Sequence, residues 1–169
     1  LREPDFNGTV CLPGTHTKWV GLRDGKIMRF QSCMTGEIFD LLSRQSVLRH
    51  SLGGAGDDLA AFEAACSDAY ANPALAYGAL FGLRAGALLG DLDANAATAR
   101  LSGLLIGWEL AATHEIWSGG SVALIGSPVL SPLYKRALAL CGISATVHDA
   151  EDVTLAGLYA AQQTIGDQT

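Results

Sequence analysis

The sequence lacks any long uncharged apolar segment, and this absence argues against a membrane protein. A helix that spans a bilayer needs about 20 mostly apolar residues, but the longest candidate, residues 101–112, is shorter and contains Glu109. Residues 1–9 also lack the basic-then-apolar pattern of a secretory signal. We therefore expect a cytoplasmic protein that does not act at a membrane. The first residue is Leu1 rather than methionine, which suggests a processed or truncated chain.

The sequence also lacks paired metal ligands and an excess of basic residues. The four cysteines lie far apart, and the four histidines show no ligand spacing with them. Structural zinc sites usually contain paired ligands, so we expect reduced thiols and no metal site. The net charge of −6 disfavours binding to nucleic acid. It does not exclude ATP, because nucleotide sites use backbone N–H groups and helix N-termini, and Mg²⁺ offsets phosphate charge.

The pattern along the chain predicts a single α/β domain over residues 1–169. Hydrophobic residues make up 49% and charged residues 17% of the chain, which is typical of a globular domain. Three strands come first and form a meander, and the third alternates as a half-buried strand does. A helical block follows, in which Thr35 is expected to cap the first helix and Asp93 to open a long helix that ends near Trp117. The final strand–turn–helix–strand–helix order favours parallel pairing, and hence a mixed sheet. The predicted strands are residues 9–12, 18–22, 27–33, 121–125 and 145–148, and the later helices are 57–71, 73–90, 131–142 and 152–164.

The turn after the first strand is the first candidate for chemistry. Gly14 lets a ligand approach the backbone closely and accepts a positive φ. Thr15 and Thr17 add hydroxyl groups, His16 lies inside the turn, and Lys18 adds a positive charge. Successive N–H groups in such a turn form an anion-binding concavity. An ordinary hairpin turn would use the same residues, so the pattern alone leaves both interpretations open.

The second candidate is the turn between the fourth strand and the helix that follows it. It contains Gly126 and Ser127, and the helix begins close to Ser131. Nucleotides bind at such turns in α/β folds, although many strand-to-helix turns bind nothing. Glu37 is a further candidate contact for a substrate or a metal ion. It lies in the first turn of a helix, where an acidic residue is also favoured by the helix dipole.

Several segments together resemble one family of sugar-acid kinases. The most specific are Pro-Gly-Thr-His-Thr-Lys-Trp at 13–19 and Met-Thr-Gly-Glu at 34–37, and residues 45–52, 100–107 and 155–158 fit the same pattern. The chain resembles the C-terminal half of the 2-dehydro-3-deoxygalactonokinases, which are actin-like, ribonuclease-H-like kinases. The resemblance implies a ribonuclease-H-like lobe with an inserted helical block. It also implies that Gly14, Thr15, His16, Thr17 and Lys18 hold ATP phosphates, and that Gly126, Ser127 and Ser131 lie on the adenosine side.

The resemblance implies phosphorylation of 2-dehydro-3-deoxy-D-galactonate to its 6-phosphate, with ATP and Mg²⁺. Members of the family are about twice this long, and their first lobe carries the base. We therefore expect this chain to be the ATP-gripping lobe, to contain no catalytic residue, and to act with an N-terminal lobe that it does not contain. Two alternatives stay open: a non-catalytic nucleotide-binding or sensor domain, and a kinase for another sugar acid or an amino sugar.

Overall fold

The computed structural model of the chain describes residues 5–166 and contains a mixed five-stranded sheet. Strand order across the sheet is β3-β2-β1-β4-β5. The β1–β2 and β2–β3 pairs are antiparallel, whereas β1–β4 and β4–β5 are parallel. As a result, β1, β3, β4 and β5 all point the same way and end at one edge of the sheet. The strands are β1 (Gly8–Leu12), β2 (Thr17–Arg23), β3 (Lys26–Cys33), β4 (Ser121–Gly126) and β5 (Ala145–Asp149).

The helices begin and end largely where local signals predict. The side chain of Asp93 accepts a hydrogen bond from the N–H of Ala96 (2.9 Å) and so caps the longest helix. Gly90 ends the preceding helix in the left-handed conformation, at φ 82°, which glycine adopts without strain. The helices are α1 (Thr35–Arg44), α2 (Leu59–Ala71), α3 (Pro73–Leu89), α4 (Ala94–Ala112), α5 (His114–Trp117), α6 (Leu130–Leu140) and α7 (Ala150–Gly166), with a 3₁₀ turn at Val47–His50.

Helix α4 forms the centre of the domain. Its contact with α2 is so close that a β-carbon at Gly103 would lie 2.3 Å from the carbonyl oxygen of Phe62. One side of the core joins the sheet to α4 and α6 around Trp19, Trp117 and Tyr134. The other side joins α3 and α4 to the 3₁₀ turn. None of the helices in residues 5–166 combines the length and apolar character that a bilayer crossing requires.

Three details of the predicted fold were wrong. Thr35 is not the cap of α1: it is the first helical residue, and its hydroxyl bonds elsewhere. The long helix does not run to Trp117, because it stops at Thr113, whose N–H and hydroxyl both bond back to the carbonyl oxygen of Glu109. The third strand is not half-buried, since it is the outer strand of the sheet and Phe30 is 61% exposed.

The four cysteines are free thiols. Burial is the main cause that raises the pKa of Cys33 to about 11 and that of Cys66 to about 12. Both groups therefore stay protonated near neutral pH, and a protonated thiol is neither a good nucleophile nor a metal ligand.

Candidate functional site

A cleft of about 650 Å³ lies at the sheet edge where β1, β3 and β4 end. Each strand leads there into a different wall: β1 into the Gly14 turn, β3 into α1, and β4 into α6. Helix α4 closes the inner side. Ligands in open α/β sheets bind at this edge, because the loops after neighbouring strands converge there. The lining residues include Gly14, Thr15, Gly36, Glu37, Thr98, Ser102, Leu105, Ile106, Val129, Leu130, Leu133 and Tyr134.

The two predicted turns touch each other at this edge. A β-carbon at Gly126 would lie 3.1 Å from Cδ of Pro13. Ser127 stabilises the turn that leads into α6, because its hydroxyl accepts from the N–H of Leu130 (3.2 Å) and its carbonyl oxygen accepts from the N–H of Ser131 (3.0 Å). The α6 side of the cleft itself is lined by residues 129, 130, 133 and 134, one turn further along. Ser131 is buried, and its hydroxyl has no hydrogen-bond partner among the described residues.

The first turn of α1 rests directly on the Gly14 turn. A β-carbon at Gly36 would lie 2.5 Å from the carbonyl oxygen of Gly14 and 2.8 Å from Cα of Thr15. The N–H of Glu37 donates to the carbonyl oxygen of Thr15 at 3.0 Å. Only glycine at position 36 lets the first turn of α1 lie this close to the Gly14 turn, so the contact between the two depends on Gly36.

Three polar side chains beside the Gly14 turn already have hydrogen-bond partners within the chain. Nε2 of His16 lies 2.6 Å from Oε2 of Glu37, and both side chains are partly exposed. Nζ of Lys18 donates to the carbonyl oxygen of His16 at 2.7 Å. The structure therefore places the side chains of His16, Lys18 and Glu37 beside one turn, with the Lys18 ammonium bonded to the turn's own backbone.

A buried hydrogen-bond network lies beneath the cleft, around the carboxyl group of Glu109 on α4. Nε1 of Trp19 donates to its Oε1 at 2.7 Å. The hydroxyl groups of Thr35 and Tyr134 donate to its Oε2, the latter at 2.9 Å. The hydroxyl of Thr17 lies 2.9 Å from that of Tyr134 and extends the network. These partners come from β2, α1 and α6, so one carboxyl group connects α4 to three other elements around the cleft.

Burial raises the pKa of Glu109, because the charged form loses hydration. The hydrogen bonds from Thr35, Trp19 and Tyr134 favour the charged form and oppose this effect in part. Sequence reasoning missed this network, although a signal was present. A lone acidic residue inside a buried apolar helix must have partners, since an unpaired carboxyl group there would be costly.

Comparison with known proteins agrees with this architecture. The family model of the 2-keto-3-deoxy-galactonokinases matches residues 1–161. The chain belongs to the 2-keto-3-deoxy-galactonokinase family. It is 45% identical over 161 residues to a Rhizobium meliloti (strain 1021) protein named as a 2-dehydro-3-deoxygalactonokinase, covering 92% of this chain and 52% of that one. It is 32% identical over 162 residues to the 2-dehydro-3-deoxygalactonokinase of Escherichia coli (strain K12), covering 92% and 53%.

A solved structure in the same family has the same fold. The crystal structure of a Sinorhizobium meliloti protein described as a 2-dehydro-3-deoxygalactonokinase superposes with a TM-score of 0.88 at 42% identity. The match covers 95% of this chain and 55% of that protein. The chain therefore spans about half the length of the relatives that it matches.

Two residues of the family's turn sequence have surroundings that differ from those expected. The side chain of Thr17 is fully buried in the Glu109 network, so its hydroxyl does not face the cleft. Gly14 is not among the glycines with positive φ, and a β-carbon there would meet no atom within 4 Å. The fold therefore does not require glycine at position 14, which leaves its backbone accessible to a ligand.

We expect Gly36→Ala to destabilise the protein by about 1–3 kcal/mol, because its new methyl group would overlap the backbone of the Gly14 turn. Gly14→Ala is the matched control: it enters open space and should leave stability unchanged or raise it by up to about 1 kcal/mol. Urea unfolding of both variants measures the difference. Equal midpoints for Gly36→Ala and the wild type would contradict the contact described here.

We expect Glu109→Ala to cost about 3 kcal/mol or more, since it leaves several buried donors without an acceptor. Glu109→Gln should cost less, because the amide keeps one acceptor and the hydroxyl groups can accept from its N–H₂. Urea unfolding measures both.

The wild type and Glu109→Gln together also test the raised pKa of Glu109. A carboxyl group whose pKa is raised on folding stabilises most fully below its unfolded pKa, near 4.5, and this contribution is lost as pH rises through the folded value. The wild type should therefore lose stability relative to Glu109→Gln as pH rises above 4.5, the ordinary value for a glutamate. A difference that does not depend on pH would contradict the assigned shift.

Proposed function

We propose that this chain is the ATP-gripping lobe of a kinase that converts 2-dehydro-3-deoxy-D-galactonate to its 6-phosphate. The observation that carries the proposal is the convergence of the Gly14 turn, the start of α1 and the start of α6 on one cleft. The names of its relatives support the substrate. The relatives are about twice as long, which supports a second lobe that supplies the base and much of the sugar-acid pocket.

The phosphates of ATP would lie over the Gly14–Thr15 turn. Its backbone is accessible, and the N-terminus of α1 adds the positive end of a helix dipole. His16 and Lys18 stand beside the same turn. Mg²⁺ would arrive with ATP as part of the substrate, and Glu37 at the rim is placed to contact it or the sugar acid.

The adenosine would lie against the start of α6. Leu105 and Ile106 from α4 and Val129, Leu130 and Leu133 from α6 form an apolar wall on which a base can pack. The Gly126–Ser127 turn sits at the end of this wall. The unpartnered hydroxyl of Ser131 lies behind Gly126, where a β-carbon would be 3.0 Å from it.

In this arrangement the lobe would position ATP and neutralise part of its phosphate charge, which are the main requirements of phosphoryl transfer. Closure of the second lobe over the cleft would exclude water and limit hydrolysis of ATP.

We expect the chain to bind ATP, and Gly14→Val to weaken that binding by at least about tenfold, equivalent to 1.4 kcal/mol. A branched side chain would occupy the space that phosphate oxygens need, while the fold has room for it. Gly119→Val is the matched control, because its β-carbon also enters open space but lies at the opposite end of β4. Titration calorimetry and urea unfolding of both variants separate binding from stability. Unchanged ATP affinity in Gly14→Val would remove the phosphate role from this turn.

We expect the purified chain to show no sugar-acid kinase activity alone, because the proposed base lies in the other lobe. Addition of the N-terminal half of the Rhizobium meliloti relative should restore turnover, and Gly14→Val in that assembly should lower it by about 10²–10³. A coupled ADP-release assay with and without sugar acid measures both. Robust turnover by the chain alone would contradict the proposal that the base lies in the other lobe. ATP binding without turnover in any assembly would favour a sensor domain.

A further inference from the structure

Helix α3 carries a large apolar surface that the rest of the described chain does not cover. Its inner face packs on the core through residues such as Ala76 and Leu83. Leu75, Tyr77, Phe81, Leu88 and Leu89 point outward and are between 66% and 77% exposed. An exposed apolar patch made of five large side chains is typical of a protein–protein contact.

The outer face of α3 carries no charged residue. Arg84 is the only charged residue of the helix, and its guanidinium donates to the hydroxyl of Ser51 at 3.1 Å, against the domain. Charged residues make up 17% of the whole chain, so a helix of 17 residues would carry about three at the average frequency. A partner with many charges would leave them unpaired against this surface, which is unfavourable.

The outer face of α3 combines large side chains with two glycines. Tyr77, Phe81 and Leu88 form a ridge, because helix positions spaced by four and seven lie above one another. Gly78 and Gly82 form a shallow groove beside it. A β-carbon at either glycine would meet no atom within 4 Å among the described residues. Packing within the chain therefore does not require these glycines, although each costs about 1 kcal/mol in a helix interior.

We propose that α3 is a dimerisation surface that pairs with α3 of a second copy of this chain. Under a two-fold axis, the ridge of each helix would fill the glycine groove of the other. Covering the five exposed side chains would bury roughly 700 Å² on each copy, close to the ~800 Å² per partner of a stable interface. Among the described residues that line the cleft, none comes from α3, so the pairing does not depend on the proposed nucleotide site.

Sedimentation velocity of the chain over a micromolar concentration range tests this proposal. The wild type should be a dimer, and Phe81→Asp should raise the dimer dissociation constant about 30-fold or more, as loss of a central anchor does. Gly82→Leu should weaken the dimer as well by filling the groove. Its open surroundings and the better helix propensity of leucine predict a urea midpoint for the monomer that is not lowered. Phe30→Asp is the matched control, since Phe30 is similarly exposed on β3, and it should leave the dimer intact.

A wild-type chain that stays monomeric over this range would overturn the proposal, and α3 would then be the docking surface of a different segment or protein. A dimer that Phe30→Asp dissociates and Phe81→Asp does not would overturn it too, because the contact would then run through the outer strand of the sheet.

Discussion

The buried carboxyl group of Glu109 holds the walls of the cleft in one arrangement. Removing a carboxylate from water costs several kcal/mol, and the cost is offset only where donors surround it. Trp19, Thr35 and Tyr134 supply these donors from three separate elements. If one element moved, the group would lose a partner in an apolar interior. Strand β2, helix α1 and helix α6 therefore adopt their positions together, and the shape of the cleft follows from a bond network beneath it.

The sheet topology explains why two distant sequence motifs act as a unit. The meander returns the chain to the same edge, so β1 and β3 both end there, one on each side of β2, although Leu12 and Cys33 are 21 positions apart in sequence. Gly36 then permits the start of α1 to rest on the Gly14 turn, and Glu37 reaches His16. Each residue of Thr-Gly-Glu at 35–37 thus has its own contact with the turn or with the network below it.

Local signals predicted the order of elements, the cap at Asp93 and the end of a helix at Gly90, because each depends on residues close in sequence. The mixed sheet was predicted from the order of elements, because a helix between two strands favours parallel pairing. The same signals could not place Thr35, whose hydroxyl turns from the helix end to Glu109, a residue 74 positions away. The burial of Thr17 could have been predicted, because alternation along β2 puts Thr17 and Trp19 on one face and Lys18 on the other. The exposure of Phe30 could not have been predicted, because an apolar strand at the edge of a sheet has the same sequence pattern as an inner strand.

The hydrogen bonds that His16 and Lys18 make within the chain limit what their side chains can contribute to the proposed reaction. His16 is bonded to Glu37, and the Lys18 ammonium is bonded to a carbonyl oxygen of the turn. These two side chains therefore already have partners within the lobe, on a chain of net charge −6. Backbone N–H groups, the α1 dipole and Mg²⁺ must provide most of the attraction. On the proposed function, such a half-site would hold ATP loosely while it is open. Tight, water-free binding would then require the second lobe, which couples the grip on ATP to the presence of the sugar acid.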